Sequence, residues 1–218
     1  MAGINPLLEL NTTEVNMPFE IHTMEWIEEN RWQQNHVPHR HNYFAIIWVK
    51  KGSGTHLIDL HKFELQDNTV YCITPGQVHL LKTKGPAEGY VISFTADFLG
   101  MAGENYDLLF NTGLFYTFSN SPMIPVSEDM RPEMEDTAGK MIKEFSNFFL
   151  LRAEILRGYL KIFLIYLTRQ FERPAQNEGQ SKSIELVKQF LALVEKNYTT
   201  KKMVNDYADK LVVTPNHL

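Results

Sequence analysis

His39-Arg40-His41 and Pro75-Gly76-Gln77-Val78-His79 are the segments of this 218-residue chain whose residue types and spacing could do chemistry. Two histidines one residue apart on a strand point to the same side. A third from a neighbouring strand would complete a face of three imidazole nitrogens, a surface able to hold a transition metal. No carboxylate sits at a convincing spacing from them. The expected role of His39, His41 and His79 is therefore that of polar groups lining or capping a pocket, with no metal and no cofactor. Other chemistry finds less support. Ser93, Ser53 and Cys72 have no base and orienting acid at recognisable spacing, which leaves nucleophilic catalysis without its parts and no catalytic residue to name. Gly52-Ser53-Gly54 lacks the lysine and helix start of a phosphate loop and reads as a hairpin turn. Glu28-Glu29 reads as a solvated charge pair, and Trp26 and Trp32 as packing or pocket-rim residues.

The elements that must position these histidines are short. Between about Phe19 and Phe94, apolar runs alternate with turn signals. Tyr43 to Val49 is apolar on both faces, as an interior strand requires. Further runs lie at 55–60, 63–65, 69–73, 78–81 and 90–94, split by Gln66-Asp67-Asn68, Thr74-Pro75-Gly76 and Lys84-Gly85-Pro86. Many short strands at this spacing predict an antiparallel barrel or sandwich. Its interior supplies a pocket with His39, His41 and His79 as polar groups and Tyr43, Trp48, Leu81 and Ser93 as candidate walls. Strand phase decides which walls point inward, since a slip of one residue exchanges faces.

After Asp97 the texture changes to a short helix, a loop at Asn111-Thr112-Gly113, an extended piece at 115–118 and the Pro122/Pro125 punctuation. Helices are predicted over about 127–145 and 148–171. The second is apolar nearly all round, so a single partner surface cannot bury it. One face covers the barrel, and the other, with Ile155, Tyr159, Phe163 and Tyr166, is expected to pair with a second subunit. The polar stretch ERPAQNEGQSK at 172–182 reads as a linker. Beyond it an apolar stripe (Ile184, Val187, Leu191, Val194) predicts a helix, and a shorter one follows from about Lys202 to Lys210. A turn then leads to Thr214-Pro215, an N-cap hydroxyl with proline at the first helical position. Helix, turn and the opening of another helix is the layout of a helix-turn-helix, whose second element enters the major groove. Thr214, Pro215, Asn216 and His217 are its first residues, and the sequence stops at Leu218 inside that element.

Composition fits this division. At 44% hydrophobic residues the chain can bury one sizeable core and a smaller helical unit. A single cysteine excludes an internal disulfide, and no apolar segment suits a signal peptide or a membrane span, which predicts a cytoplasmic protein. The net charge of −5 is uneven. From Ser181 onward six lysines face four acidic residues, whereas upstream 15 basic residues face 22 acidic ones. That sign change favours separate roles for the two regions.

The histidine spacing resembles the cupin family, with its HxH, glutamate, glycine and PxxxH pattern, although Ala45 stands where the family has its glutamate. The order of barrel, long helices, linker and helix-turn-helix resembles the AraC family of bacterial transcriptional regulators. His39-Arg40-His41-Asn42-Tyr43-Phe44, Gly52-Ser53-Gly54-Thr55-His56, Ile73 to His79 and Glu88 to Phe94 look like that family's ligand domain. Tyr207-Ala208, Leu211 and Thr214 to Leu218 look like the start of its DNA-binding domain. The resemblance implies an α+β chain. Its parts are a cupin-like antiparallel barrel over 1–125, dimerisation helices over 126–172, a linker over 173–182 and part of a helix-turn-helix domain over 183–218. It further implies a small-molecule effector, often a sugar or related metabolite, a homodimer, and DNA as a partner of the whole protein rather than of this fragment. The competing class is a metal-dependent cupin enzyme acting through His39, His41 and His79.

Overall fold

The computed structural model describes residues 6–10, 17–35, 37–100, 109, 113–115, 123–170, 186, 189–190, 193–194, 197 and 199–215. The chain divides into two compact units, Met1–Phe171 and Glu172–Leu218.

The first unit is two antiparallel sheets with helices. Ten strands are described: β1 (Leu7–Leu8), β2 (Phe19–Thr23), β3 (Arg40–His41), β4 (Phe44–Lys51), β5 (Gly54–Ile58), β6 (His61–Glu64), β7 (Thr69–Ile73), β8 (His79–Thr83), β9 (Glu88–Phe94) and β10 (Met123–Pro125). The larger sheet runs β10-β7-β4-β9-β2, and the smaller runs β6-β5-β8. A parallel pair, β1-β3, joins the smaller sheet through a bridge between His39 and His79. Strand β4 is central and apolar on both faces because both are covered. Its residues Ala45, Ile47 and Val49 face the interior between the sheets, together with Tyr43, Tyr71, Ile73, Ile58 and Leu65. Its residues Phe44, Ile46 and Trp48 face the other way, toward the helical layer.

Three helices are described after β9 in this unit: α2 (Ala96–Leu99), which precedes β10, and then α3 (Arg131–Phe145) and α4 (Arg152–Gln170). Helix α2 is capped by Thr95, whose hydroxyl accepts from the Phe98 backbone N–H at 3.3 Å. Phe98 meets Phe19 of β2 at 4.9 Å between ring centroids, and Phe145 at the end of α3 meets the same ring at 6.0 Å. Helix α4 buries Leu156, Leu160, Phe163, Leu164 and Leu167. Its Arg157 donates from Nε to the Phe98 carbonyl at 2.7 Å, which ties α4 to α2.

Three sequence expectations change here. Helix α4 starts at Arg152 rather than at Phe148, because Leu151 sits in the left-handed region at φ 62° and breaks the register. Phe163 is not on an outward face: it is fully buried against Trp48, with 6.0 Å between ring centroids. Ile155, Ile162 and Ile165 are the apolar residues that α4 leaves exposed. Finally, residues 24–35 form a helix, α1 (Met24–Asn35), inside a region read as strands and turns. Thr23 caps it, accepting from the Trp26 N–H at 3.2 Å.

In the second unit the described residues between 186 and 197 are helical. Helix α5 (Val204–Leu211) follows, with Tyr207 and Ala208 buried. Tyr207 donates its hydroxyl to the Lys201 carbonyl at 2.8 Å and its ring meets that of Phe190 edge-on. The small Ala208 leaves room for close packing, and Val212 ends the helix in the left-handed region. Thr214 and Pro215 come next and are exposed. The linker, Ile184, Val187, Leu191, Asn216, His217 and the extended piece at 116–118 lie outside the described residues.

Candidate ligand chamber

The histidine site is assembled by backbone pairing. His39 and His79 exchange both backbone hydrogen bonds, at 3.0 and 2.8 Å, so their side chains leave the sheet on the same side. The Gly76 N–H donates to the His41 carbonyl at 2.8 Å, which folds the Pro75-Gly76 turn back onto the HRH segment. Gly76 sits at φ 80°, the left-handed position after proline that a type II turn reserves for glycine. The ring centroids of His39 and His79 lie 4.4 Å apart, those of His41 and His79 5.1 Å, and those of His39 and His41 6.4 Å.

A fourth histidine completes the cluster. Strand β5 pairs His56 with Leu81 and Ile58 with His79, placing His56 diagonally across from His79. His56 Nε2 lies 3.1 Å from His79 Nδ1. All four imidazoles are buried. Tyr43 stacks on His41 at 4.2 Å and 9°, and the Tyr71 ring stands edge-on to His56 at 4.8 Å. Among the described residues, four polar atoms of this group are buried without a hydrogen-bonding partner: His41 Nε2, His56 Nδ1, His79 Nε2 and the Tyr71 hydroxyl. Buried polar atoms in proteins are almost always partnered, so four together mark a place for a bound molecule or water.

Desolvation keeps the rings neutral. It lowers the pKa of His41 to about 4 and that of His56 to about 3, and it holds His39 and His79 below the ordinary histidine value. Burial likewise pushes the Tyr43 phenol up to about 12. Among the described residues no group of three or more His, Cys, Asp or Glu side chains is disposed to hold a metal ion. An ion pair lies at the β2 edge of the larger sheet. There Glu20 accepts from Arg31 of α1 at 2.6 Å, and Arg31 spreads over the Trp26 ring. Trp26 in turn stacks on His22 at 3.6 Å, and burial lowers the His22 pKa to about 4. Helix α1 departs from helical geometry at Arg31, the residue that makes this ion pair.

Of the sequence candidates, His39, His41, Tyr43, His79, Leu81 and Ser93 share the interior face. Ser93 stands opposite Ala45 in the β4–β9 register and Leu81 opposite His56. Trp48 does not belong with them. It is an odd number of residues from Tyr43, so the pleat turns it to the helical layer, where its Nε1 also lacks a partner. The sequence reading passed over His56 and Tyr71. The alternation Gly54, His56, Ile58 was a legible sign for the first, whereas Tyr71 was concealed in the uniformly apolar run Thr69 to Ile73.

Two antiparallel sheets around a buried polar cluster make a cupin-like domain. Residues 22–124 match the family model of the AraC-like ligand binding domain. Just under half of the chain thus matches an AraC-like ligand binding domain. No curated protein sequence matches the chain. Among solved structures, the AraC-like transcriptional activator CuxR is similar at 9% identity with a TM-score of 0.43, over 81% of this chain and 59% of its own. ToxT from Vibrio cholerae is similar at 11% identity with a TM-score of 0.45, over 90% of this chain and 71% of its own. The chain thus spans less than two thirds of the length of CuxR.

Proposed function

We propose that this chain senses a small-molecule effector and, as a homodimer, transmits its presence to DNA-bound transcription in the cytoplasm. The observation that carries the reading is the set of four buried, unpartnered polar atoms in the ligand-binding domain. Buried polar atoms without partners are costly, and a ligand that satisfies them stabilises the folded state by mass action. The neutral, buried histidines support a role in binding. The exposed Ile155, Ile162 and Ile165 of α4, with the half-buried Tyr159 and Tyr166 beside them, follow helical spacing and support an isologous contact with a second copy. Helix α5 and the Thr214-Pro215 segment support a helix-turn-helix role for the second unit within the whole protein.

A thermal-shift screen of sugars and related metabolites tests the sensing role. A true effector raises the melting temperature of the native chain and not that of a His79→Ala variant whose unliganded melting is preserved. An effector that stabilises both equally places the site elsewhere. The rival reading, a metal-dependent cupin enzyme, requires stoichiometric metal in the purified protein. Metal analysis separates the two.

A further inference from the structure

We infer that the chamber selects an uncharged ligand through hydrogen bonds that the ligand donates, and that the His56–His79 pair is an invertible contact whose polarity the ligand sets. This rests on the reading of the chamber as the effector site and adds the chemistry of what it accepts.

Backbone carbonyls fix two of the four rings. His41 Nδ1 lies 2.7 Å from the Tyr43 carbonyl oxygen, and His39 Nδ1 lies 3.0 Å from that of Val37. A carbonyl only accepts, so both Nδ1 atoms carry the proton and donate it. In a neutral imidazole the other nitrogen is then a bare lone pair. His41 Nε2 is such a lone pair, buried and without a partner. A carboxylate or phosphate oxygen there would set lone pair against lone pair, whereas a hydroxyl or amide N–H completes a hydrogen bond.

The other two rings share one proton between His56 Nε2 and His79 Nδ1. Their outer nitrogens, His56 Nδ1 and His79 Nε2, are both buried and unpartnered. Two arrangements exist. If His56 donates across the pair, His79 Nε2 is a donor and His56 Nδ1 an acceptor; if His79 donates, the roles exchange. Neither arrangement gives two donors. The neutral cluster therefore offers an anion at most one ring N–H besides the Tyr71 hydroxyl, while it offers a donor-rich molecule at least two acceptors. Turning it into an anion site requires protonating a ring, and four imidazoles with centroids 4.4 to 6.4 Å from a neighbour, all desolvated, oppose that charge. The facing groups do not reverse this. Tyr43 and Tyr71 are neutral, and Glu20 and Arg31 at the sheet edge are already paired with each other.

Nitrogen–carbon correlation spectra of the histidine rings in the 218-residue protein test the inference, with glycerol and acetate at equal concentration as the two probes. At pH 7.5 we expect His39 and His41 as singly protonated Nδ1–H rings. Glycerol should shift the His41 and His79 Nε2 signals and move the His56–His79 pair toward the arrangement with His79 Nε2 as acceptor. Acetate should leave all of them in place. Doubly protonated rings at pH 7.5, or signals that answer to acetate and not to glycerol, overturn the inference. A His79 tautomer ratio unmoved by glycerol while its Nε2 signal shifts overturns the invertible contact alone. If neither probe moves neutral rings, the chamber is closed to small polar molecules, and it is the reading of it as the effector site that fails.

Discussion

The rings of Trp48 on β4 and Phe163 on α4 meet 6.0 Å apart, and both side chains are wholly buried. This contact pins the helical layer to the back of the strand whose front lines the chamber. Truncating Phe163 to alanine leaves a cavity between two packed layers and should destabilise the protein by about 3–5 kcal/mol. Chemical denaturation measures it. A loss below about 1 kcal/mol would mean that the helix settles elsewhere.

The outward face of α4 gives the opposite expectation. Ile155 and Ile162 are 45% and 41% exposed, so a charge at either position stays solvated in a monomer. Ile162→Glu or Ile155→Glu should yield a folded monomer by light scattering if this face pairs two copies, because the charge would be buried unpaired only in the dimer. Phe163→Glu, by contrast, should fail to fold. Dimers that persist in both isoleucine variants would place the interface on another surface.

Stability should fall on mild acidification. His22, His39, His41, His56 and His79 all have folded pKa values below the ordinary 6.5, with burial as the leading cause in each. Above pH 6.5 both folded and unfolded chains leave them neutral, and the stability is fully present. As pH falls below 6.5 the unfolded chain takes up protons that the folded one refuses. Stability then declines until the folded values, about 4 for His41 and about 3 for His56, are reached. Each such ring adds a slope approaching about 1.4 kcal/mol per pH unit. Melting temperatures between pH 7.5 and 5, above the range where carboxylates titrate, should drop steadily. A flat profile would mean that the rings are hydrated and charged.

Gly89 on β9 is the clearest backbone test. It sits at φ 155°, and a Cβ there would collide with the Trp48 carbonyl oxygen and press on the Met24 sulfur. Gly89→Ala should separate β9 from β4 and lower the melting temperature, whereas alanine at Gly158, where no atom lies within 4 Å, should be neutral or mildly stabilising. Equal melting of the two variants would contradict the strand register.

Much of this architecture could be read from the residues. Alternation and turn chemistry located β4 to β9 to within a few residues, since Gly, Pro and Asn-rich breaks interrupt apolar runs at each end. Helix α1 was not legible, because MEWIEENRWQQN has no clean apolar stripe and its cap, Thr23, also ends a strand. The site was half legible. His39, His41 and His79 announce themselves by spacing, but His56 joins them only through the β5–β8 register, and Glu20 meets Arg31 across eleven residues. Trp48 and Phe163 were misplaced for one reason: an all-apolar strand and an all-apolar helix carry no periodicity that tells one face from the other.

That absence of periodicity has a mechanical meaning in β4. Ala45 and Ile47 belong to the chamber, while Ile46 and Trp48, their immediate neighbours along the chain, belong to the helical layer. The chamber and the helical layer are thus separated by the thickness of a single strand. A molecule that displaces Ile47 by a fraction of an ångström displaces Trp48 with it, because adjacent residues share one peptide plane and close-packed interiors have no slack to absorb the motion. Any shift of the chamber face is therefore felt as pressure on Phe163 on the other side.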